Sequence, residues 1–187
     1  MNTLKFVAAC EEIANVYDAL FSVGMMASQL KGDIMNSSSS VKKAFLKAPE
    51  QCGTLDALIQ QELRVLGRDK IRVDKTAGCI GLLWAKRAVQ FIMVYLDLLG
   101  TRPDLNSSAC ARQTYETVLA KYHGWFTSKA LGAAMGMAPT REDIFLKLGL
   151  KTEPQKQIAE LIAVLARAVG AIQALLNKYN LDFDDKV

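Results

Sequence analysis

Asp33, Asn36, Ser37 and Ser40 stand at i, i+3, i+4 and i+7, which puts four hydrogen-bonding side chains on one stripe of a helix, with Ile34, Val41 and Phe45 on an apolar stripe opposite. Taken alone, such a polar stripe simply faces water. Trp84 and Arg87, three residues apart, share a face of another helix. Two readings stand for them: Trp84 fills the core while Arg87 pairs with an acid, or Trp84 is a platform for a ring and Arg87 supports the polar end of a site. His123 is the only histidine, which excludes a triad or a two-histidine metal site within the chain. A lone histidine is, by itself, more often packed or at the surface than a ligand. The glycines form neither G-x-G-x-x-G nor G-x-x-x-x-G-K-[ST], so nucleotide phosphates have no backbone cradle. Glu11–Glu12 and Asp184–Asp185 are sequence neighbours that diverge on a helix, which is wrong for an acid/base pair. We therefore expect no metal, no cofactor and no enzymatic activity. The chemistry these residues offer is hydrogen bonding, not bond breaking.

The elements that must position them begin with residues 78–99, a run too apolar for a surface helix that nevertheless holds the adjacent cations Lys86 and Arg87. Ile80, Leu83, Arg87, Phe91 and Val94 fall near one stripe, and Leu82, Val89, Ile92, Met93, Leu96 and Leu99 fill most of the remaining circumference. This predicts a central, buried helix. Lys86, Arg87, Gln90 and Asp97 argue against a membrane span, which needs roughly 20 predominantly apolar residues.

Upstream, apolar residues recur every three or four positions from Leu4 to Leu30, predicting one or two helices before the polar stripe. Thr54 is placed to cap a helix that ends at Gly67, and Arg68–Lys75 reads as a charged linker. Residues 100–107 form a turn cluster, with Ser107 or Ser108 as the cap of a helix from Ala109 to about Tyr122. A small-residue helix over 130–138, a capping box at Thr140–Asp143 and a final helix from about Pro154 to Tyr179 complete the chain before an acidic, aromatic tail. No segment alternates with period two. An all-α, two-layer arrangement of about eight helices follows, as a single domain over 1–187.

The chain has 187 residues, 51% of them hydrophobic, enough for one sizeable core. Its formal charge of +4, from 23 basic and 19 acidic residues, is mild and comes with no basic tract, so nucleic acid is not an expected partner. A weak pull toward anionic membrane surfaces is compatible with it. Glu11 and Glu12 end the first apolar run too soon for a signal peptide, so a cytoplasmic protein is expected. Cys10, Cys52, Cys79 and Cys110 are far apart with no C-x-x-C, so reduced thiols inside helices are expected, not zinc or disulfides.

Leu83-Trp84-Ala85-Lys86-Arg87-Ala88-Val89-Gln90-Phe91-Ile92, followed by Lys121-Tyr122-His123-Gly124-Trp125, with Asp33-Ile34 upstream on a polar stripe, resembles the glycolipid transfer protein family from about residue 17 to the end. The resemblance implies an all-helical two-layer protein that extracts a sphingolipid from one membrane and carries it to another, with no chemical change. Asp33 would accept the ceramide amide N–H, His123 would donate to the acyl carbonyl, and Trp84 would stack on the first sugar. A charge-assisted hydrogen bond at the lipid's polar junction fixes it beside apolar walls, and each CH2 removed from water is worth ~0.8 kcal/mol.

Within the resemblance there are departures. The family's Asn and Lys, four and seven residues after the Asp, correspond to Ser37 and Ser40, with Asn36 and Lys43 as candidate replacements. The near-terminal Tyr of animal relatives corresponds to Asp185. Trp84 stands where the ceramide-phosphate branch has Arg, which favours a neutral sugar. The expected ligand is thus a glycosphingolipid, the alternatives being ceramide-1-phosphate or a sphingolipid sensor that binds without transfer. On a helix, Trp125 would diverge from His123 by about 200° and face outward as a membrane-docking residue, with Lys129 one turn on, unless it packs on the preceding helix. A monomer that meets membranes only peripherally and transiently is expected.

Overall fold

A computed structural model describes residues 1–21, 25–124, 131, 133 and 135–186, with the backbone alone for 25–27. Trp125 and Lys129, together with Ala130, Gly132 and Ala134 of the expected small-residue helix over 130–138, lie outside the described residues. Eight α-helices are described: α1 (Thr3–Leu20), α2 (Met25–Lys47), α3 (Leu55–Leu66), α4 (Arg68–Val73), α5 (Gly78–Thr101), α6 (Ser107–Val118), α7 (Arg141–Lys147) and α8 (Pro154–Lys178), with a 3₁₀ turn at Ala120–Tyr122. No strand occurs among the described residues.

Helix α5 is the centre, packing against α2, α6 and α8, and α2 packs in turn on α1. Its apolar circumference buries Leu82, Leu83, Phe91, Ile92, Tyr95, Leu96 and Leu99, joined by Tyr17, Leu20 and Phe21 of the first helix and its end. Phe21 stacks on Tyr95 with ring centroids 5.5 Å apart. Both α5 and α8 have the length and apolarity to cross a bilayer, but two thirds of the most apolar stretch of α5 is covered by protein. That cover is the core it organises.

Local signals set the ends. Asn2 caps α1 by accepting from the Lys5 N–H at 3.0 Å, and Thr54 caps α3 by accepting from the Ala57 N–H at 3.2 Å. Gly67 ends α3 at φ 76°, a conformation glycine adopts without Cβ strain. No side chain of its own segment caps α5; instead Glu62 of α3 reaches across, accepting from the Gly78 N–H at 2.8 Å and the Cys79 N–H at 2.7 Å. A carboxylate there both satisfies orphan donors and meets the positive helix end.

Three expectations need correction. Arg68–Lys75 is not a linker throughout: α4 occupies Arg68–Val73, one turn and a half held by its one buried apolar residue, Ile71. The cap of α6 is Asn106, whose side chain accepts from the Ala109 N–H at 2.8 Å, while Ser107 and Ser108 donate to the carbonyls of Pro139 and Gly136 and so tie α6 to the segment after it. The four cysteines are free and buried, but Cys52 lies in the turn before α3, where its carbonyl accepts from the Thr3 hydroxyl at 2.6 Å.

Candidate functional site

Where α2 crosses α5, the helices approach unusually closely because α5 carries glycine at the contacts. A Cβ on Gly78 would lie 2.6 Å from the Ala44 Cβ, and one on Gly81 would overlap the Ser37 carbonyl oxygen and lie 2.9 Å from the Ser40 Cβ. This contact brings the stripe of α2 beside Trp84. Between them opens a cavity of about 650 Å³, and all six side chains singled out on the two motifs and the stripe, Asp33, Asn36, Ser37, Ser40, Trp84 and His123, line it. Its apolar wall includes Leu30, Ile80, Leu83, Ala88 and Leu119.

The stripe is not uniform. Asp33 and Asn36 are exposed to the cavity, Ser40 is half-buried and Ser37 is buried, its hydroxyl donating to the Asp33 carbonyl at 2.7 Å. Ser37 is thereby bonded back to its own helix. Although water reaches Asp33, the surrounding protein raises its carboxyl above the ordinary 3.8, an effect of partial burial that the Gln29 amide, donating at 3.1 Å, partly offsets.

Trp84 and His123 form a layered pair, rings parallel to within 4° and centroids 5.8 Å apart. The Arg87 guanidinium lies 4.8 Å from the Trp84 centroid and 3.4 Å from that of Tyr122, within cation–π range. His123 Nδ1 is 3.0 Å from the Tyr115 hydroxyl. Burial first and the Arg87 charge second lower the His123 pKa below 6.5, so the ring is neutral near pH 7. Of the two neutral tautomers, the one in which the Tyr115 hydroxyl donates to Nδ1 puts the ring proton on Nε2 and makes the ring a donor there. His123 itself is extended, at φ −105° and ψ 143°. The helical projection that separates it from Trp125 therefore does not apply at its own position.

Lys86 and Arg87 answer the question of their acid. Both are almost wholly buried, and Asp182 serves them, its carboxylate 3.1 Å from Lys86 Nζ and 3.8 Å from Arg87 Nη2. Lys86 also donates to Gln173 at 2.7 Å, and Arg87 Nη2 donates to the Phe183 carbonyl. The tail after α8 is thereby drawn across the cavity, where Phe183, Asp185 and Lys186 line it together with Arg72, Val73 and Lys75 from the end of α4. Arg72, Val73, Lys75, Phe183 and Lys186 escape sequence reasoning, since nothing in Arg68–Lys75 or in the tail repeats at a period that points to a shared site; Asp185 is reached only through its match to the family's near-terminal Tyr.

The family model described as glycolipid transfer protein matches residues 1–150. The chain belongs to the glycolipid transfer protein family. It is 28% identical over 197 aligned residues to a glycolipid transfer protein of Danio rerio, covering all of this chain and 92% of that one. It is likewise 28% identical over 142 residues to glycolipid transfer protein 1 of Arabidopsis thaliana, covering 76% of this chain and 67% of that one. Among solved structures, the fungal glycolipid transfer protein HET-C2 superposes with a TM-score of 0.79 at 25% identity, covering 94% and 85% of the two chains. Human ceramide-1-phosphate transfer protein, solved with 12:0 ceramide-1-phosphate, reaches 0.86 at 21% identity, covering 97% and 89%, which is a likeness of fold. The all-α, two-layer fold expected of the family is the fold of this chain.

Proposed function

We propose that the protein is a non-enzymatic carrier that binds a neutral glycosphingolipid at the junction of sugar and ceramide and moves it between membranes as one domain. The observation that carries this reading is the convergence of Asp33, Trp84 and His123 on a single cavity with an apolar wall. An ionised Asp33 accepts the ceramide amide N–H, His123 Nε2 donates to the acyl carbonyl, and the Trp84 ring supports the sugar; Asn36 and Ser40 offer short hydrogen-bonding groups beside it. The hydrocarbon chains follow the Leu30, Ile80, Leu83 and Leu119 wall, each buried CH2 contributing ~0.8 kcal/mol. The membrane is met at its surface, peripherally, for long enough to exchange one lipid.

A ceramide-1-phosphate carrier is the second reading, favoured by the four basic side chains Arg72, Lys75, Arg87 and Lys186 along the cavity against two acidic ones, Asp33 and Asp185. The test is vesicle-to-vesicle transfer of fluorescent galactosylceramide and ceramide-1-phosphate. Galactosylceramide transfer well above a protein-free blank, lost in Trp84→Ala, is the expected result. Lipid capture without transfer would replace the carrier with a sensor, and no capture of either lipid would end both readings.

A further inference from the structure

The headgroup end of the cavity carries an ion pair that the fold does not need. Arg72 Nε and Nη2 donate to the two carboxylate oxygens of Asp185, both at 2.8 Å, across the gap between α4 and the tail. Both side chains are close to half exposed, and an ion pair in such a place contributes little to stability. The tail is anchored without it: Leu181 and Phe183 are buried, Asp182 binds Lys86, and Arg87 holds the Phe183 carbonyl. The guanidiniums of Arg68 and Arg72 also lie 5.0 and 5.7 Å from the Phe183 ring centroid. What distinguishes the pair is its position, since both residues line the cavity that holds Asp33 and Trp84.

Across that cavity α2 offers little reach. Ser37 is occupied by its own helix and Ser40 is short, so side chains long enough to meet the far side of a sugar come from α4 and the tail. The Arg72–Asp185 fork suits hydroxyls. Each carboxylate oxygen keeps a lone-pair site after accepting from Arg72, and Arg72 Nη1 has no partner among the described residues, so acceptors and a donor stand side by side. The same fork opposes a phosphate, because the guanidinium that would grip it bidentately is already filled and the occupant is a carboxylate. The Arg72 hydrogen bond keeps that carboxyl below the usual carboxylate range, so it is ionised at neutral pH. Lys75 and Lys186 have no acid partner among the described residues and remain able to attract an anion, which makes a filter useful here.

We propose that the Arg72–Asp185 pair is the headgroup filter of this protein, binding the hydroxyls of a neutral sugar and repelling a phosphomonoester at the same position. This rests on the carrier reading above. In the vesicle assay with galactosylceramide and ceramide-1-phosphate, the wild type prefers the sugar lipid. Asp185→Ala removes the repelling charge and frees Arg72, so the ratio of phosphate-lipid to sugar-lipid transfer rises about tenfold, equivalent to the ~1.4 kcal/mol of one decade. Asp185→Asn, of the same shape, shifts the ratio in the same direction by less and serves if the alanine variant folds poorly. Arg72→Gln lowers sugar-lipid transfer without raising phosphate-lipid transfer. A merely structural pair would change melting temperature and both rates together and leave the ratio alone, which would overturn the proposal, as would a wild type that prefers ceramide-1-phosphate. If the wild type moves neither lipid, the carrier reading falls first and the filter with it; if it moves galactosylceramide but the ratio stays fixed in both Asp185 variants, the filter alone falls.

Discussion

Gly81 of α5 lies against the Ser37 carbonyl of α2 so closely that a Cβ at 81 would overlap that oxygen. Because the obstacle is backbone, it cannot rotate away. Gly81→Ala should therefore force the two helices apart, lowering stability by about 2 kcal/mol, within the range of overpacked cores, and abolishing transfer by displacing Asp33 from Trp84. Gly170, in the middle of α8, is the control: a Cβ there meets nothing within 4 Å. Gly170→Ala should raise stability by about 0.5–1 kcal/mol in chemical denaturation, from propensity and chain entropy, with transfer unchanged. Equal effects at the two positions would remove close approach as the reason for Gly81.

Asp33 predicts a pH dependence with a definite sign. Its folded carboxyl titrates above the ordinary 3.8, so protonation favours the folded, lipid-free protein: this group's contribution to stability grows as pH falls through the raised value and is complete below 3.8. Lipid binding needs the opposite form, since the ionised carboxylate accepts the amide N–H more strongly. Transfer should thus decline as pH drops through the raised value, while the lipid-free protein gains from this group. Asp33→Asn, which keeps an acceptor but not the charge, should transfer roughly tenfold more slowly and lose that limb of the profile. A wild-type profile that stays flat down to 3.8 would remove Asp33 from the amide contact.

Tyr115 should set which nitrogen of His123 carries the proton. A hydroxyl that donates to Nδ1 across 3.0 Å makes Nε2 the donor, and Tyr115→Phe releases that choice. The nitrogen shifts of His123 in NMR should move from a pure Nε2–H form to a mixture, with several-fold slower transfer and a stability loss of about 1 kcal/mol. The His123 pKa is lowered by burial, so its favourable contribution is complete above the ordinary 6.5 and is lost as pH falls through the lowered value. An unchanged tautomer in Tyr115→Phe would assign the choice to some other contact.

The parts of this site legible in the sequence are those that a helical period or a short motif displays. The stripe from Asp33 to Ser40, the apolar girdle of α5 and the Trp84 and His123 motifs are each local, and the cavity joins them. What stayed hidden depends on distant pairings. The Tyr115 hydroxyl meets His123 across the end of α6, Arg72 meets Asp185 over more than a hundred residues, and Glu62 caps a helix that starts sixteen residues later. Helix α4 escaped because six residues with only Ile71 buried carry too little periodicity to stand out from a charged linker. Ser37 sits where its position predicts, yet its hydroxyl is turned to the Asp33 carbonyl, a competition that spacing alone does not reveal. Trp125 lies outside the described residues, and with His123 extended its outward orientation cannot be projected from helical geometry.

Asp182 carries the last prediction, because one partly exposed carboxylate serves two cations whose side chains are each only 2% exposed. Burial alone would raise its carboxyl, but the hydrogen bonds from Gln173 and Lys86 and the charges of Lys86 and Arg87 bring it below the ordinary 3.8. Its contribution is therefore present above 3.8 and is lost as pH falls through the lowered value. Arg87 Nε is already buried without a hydrogen-bond partner among the described residues, so the cluster has little slack. Asp182→Ala should leave both cations uncompensated and cost about 3 kcal/mol in urea denaturation, the scale for breaking a buried pair from one side. Lys86→Met should cost less, because it removes a charge and leaves its partner in reach of Arg87 and of water. The double variant is decisive: with one cation gone, losing Asp182 matters less, so it should be more stable than the sum of the single losses by about 1 kcal/mol or more. Strict additivity would mean that Asp182 acts only by holding the tail in place, with Lys86 neutralised elsewhere.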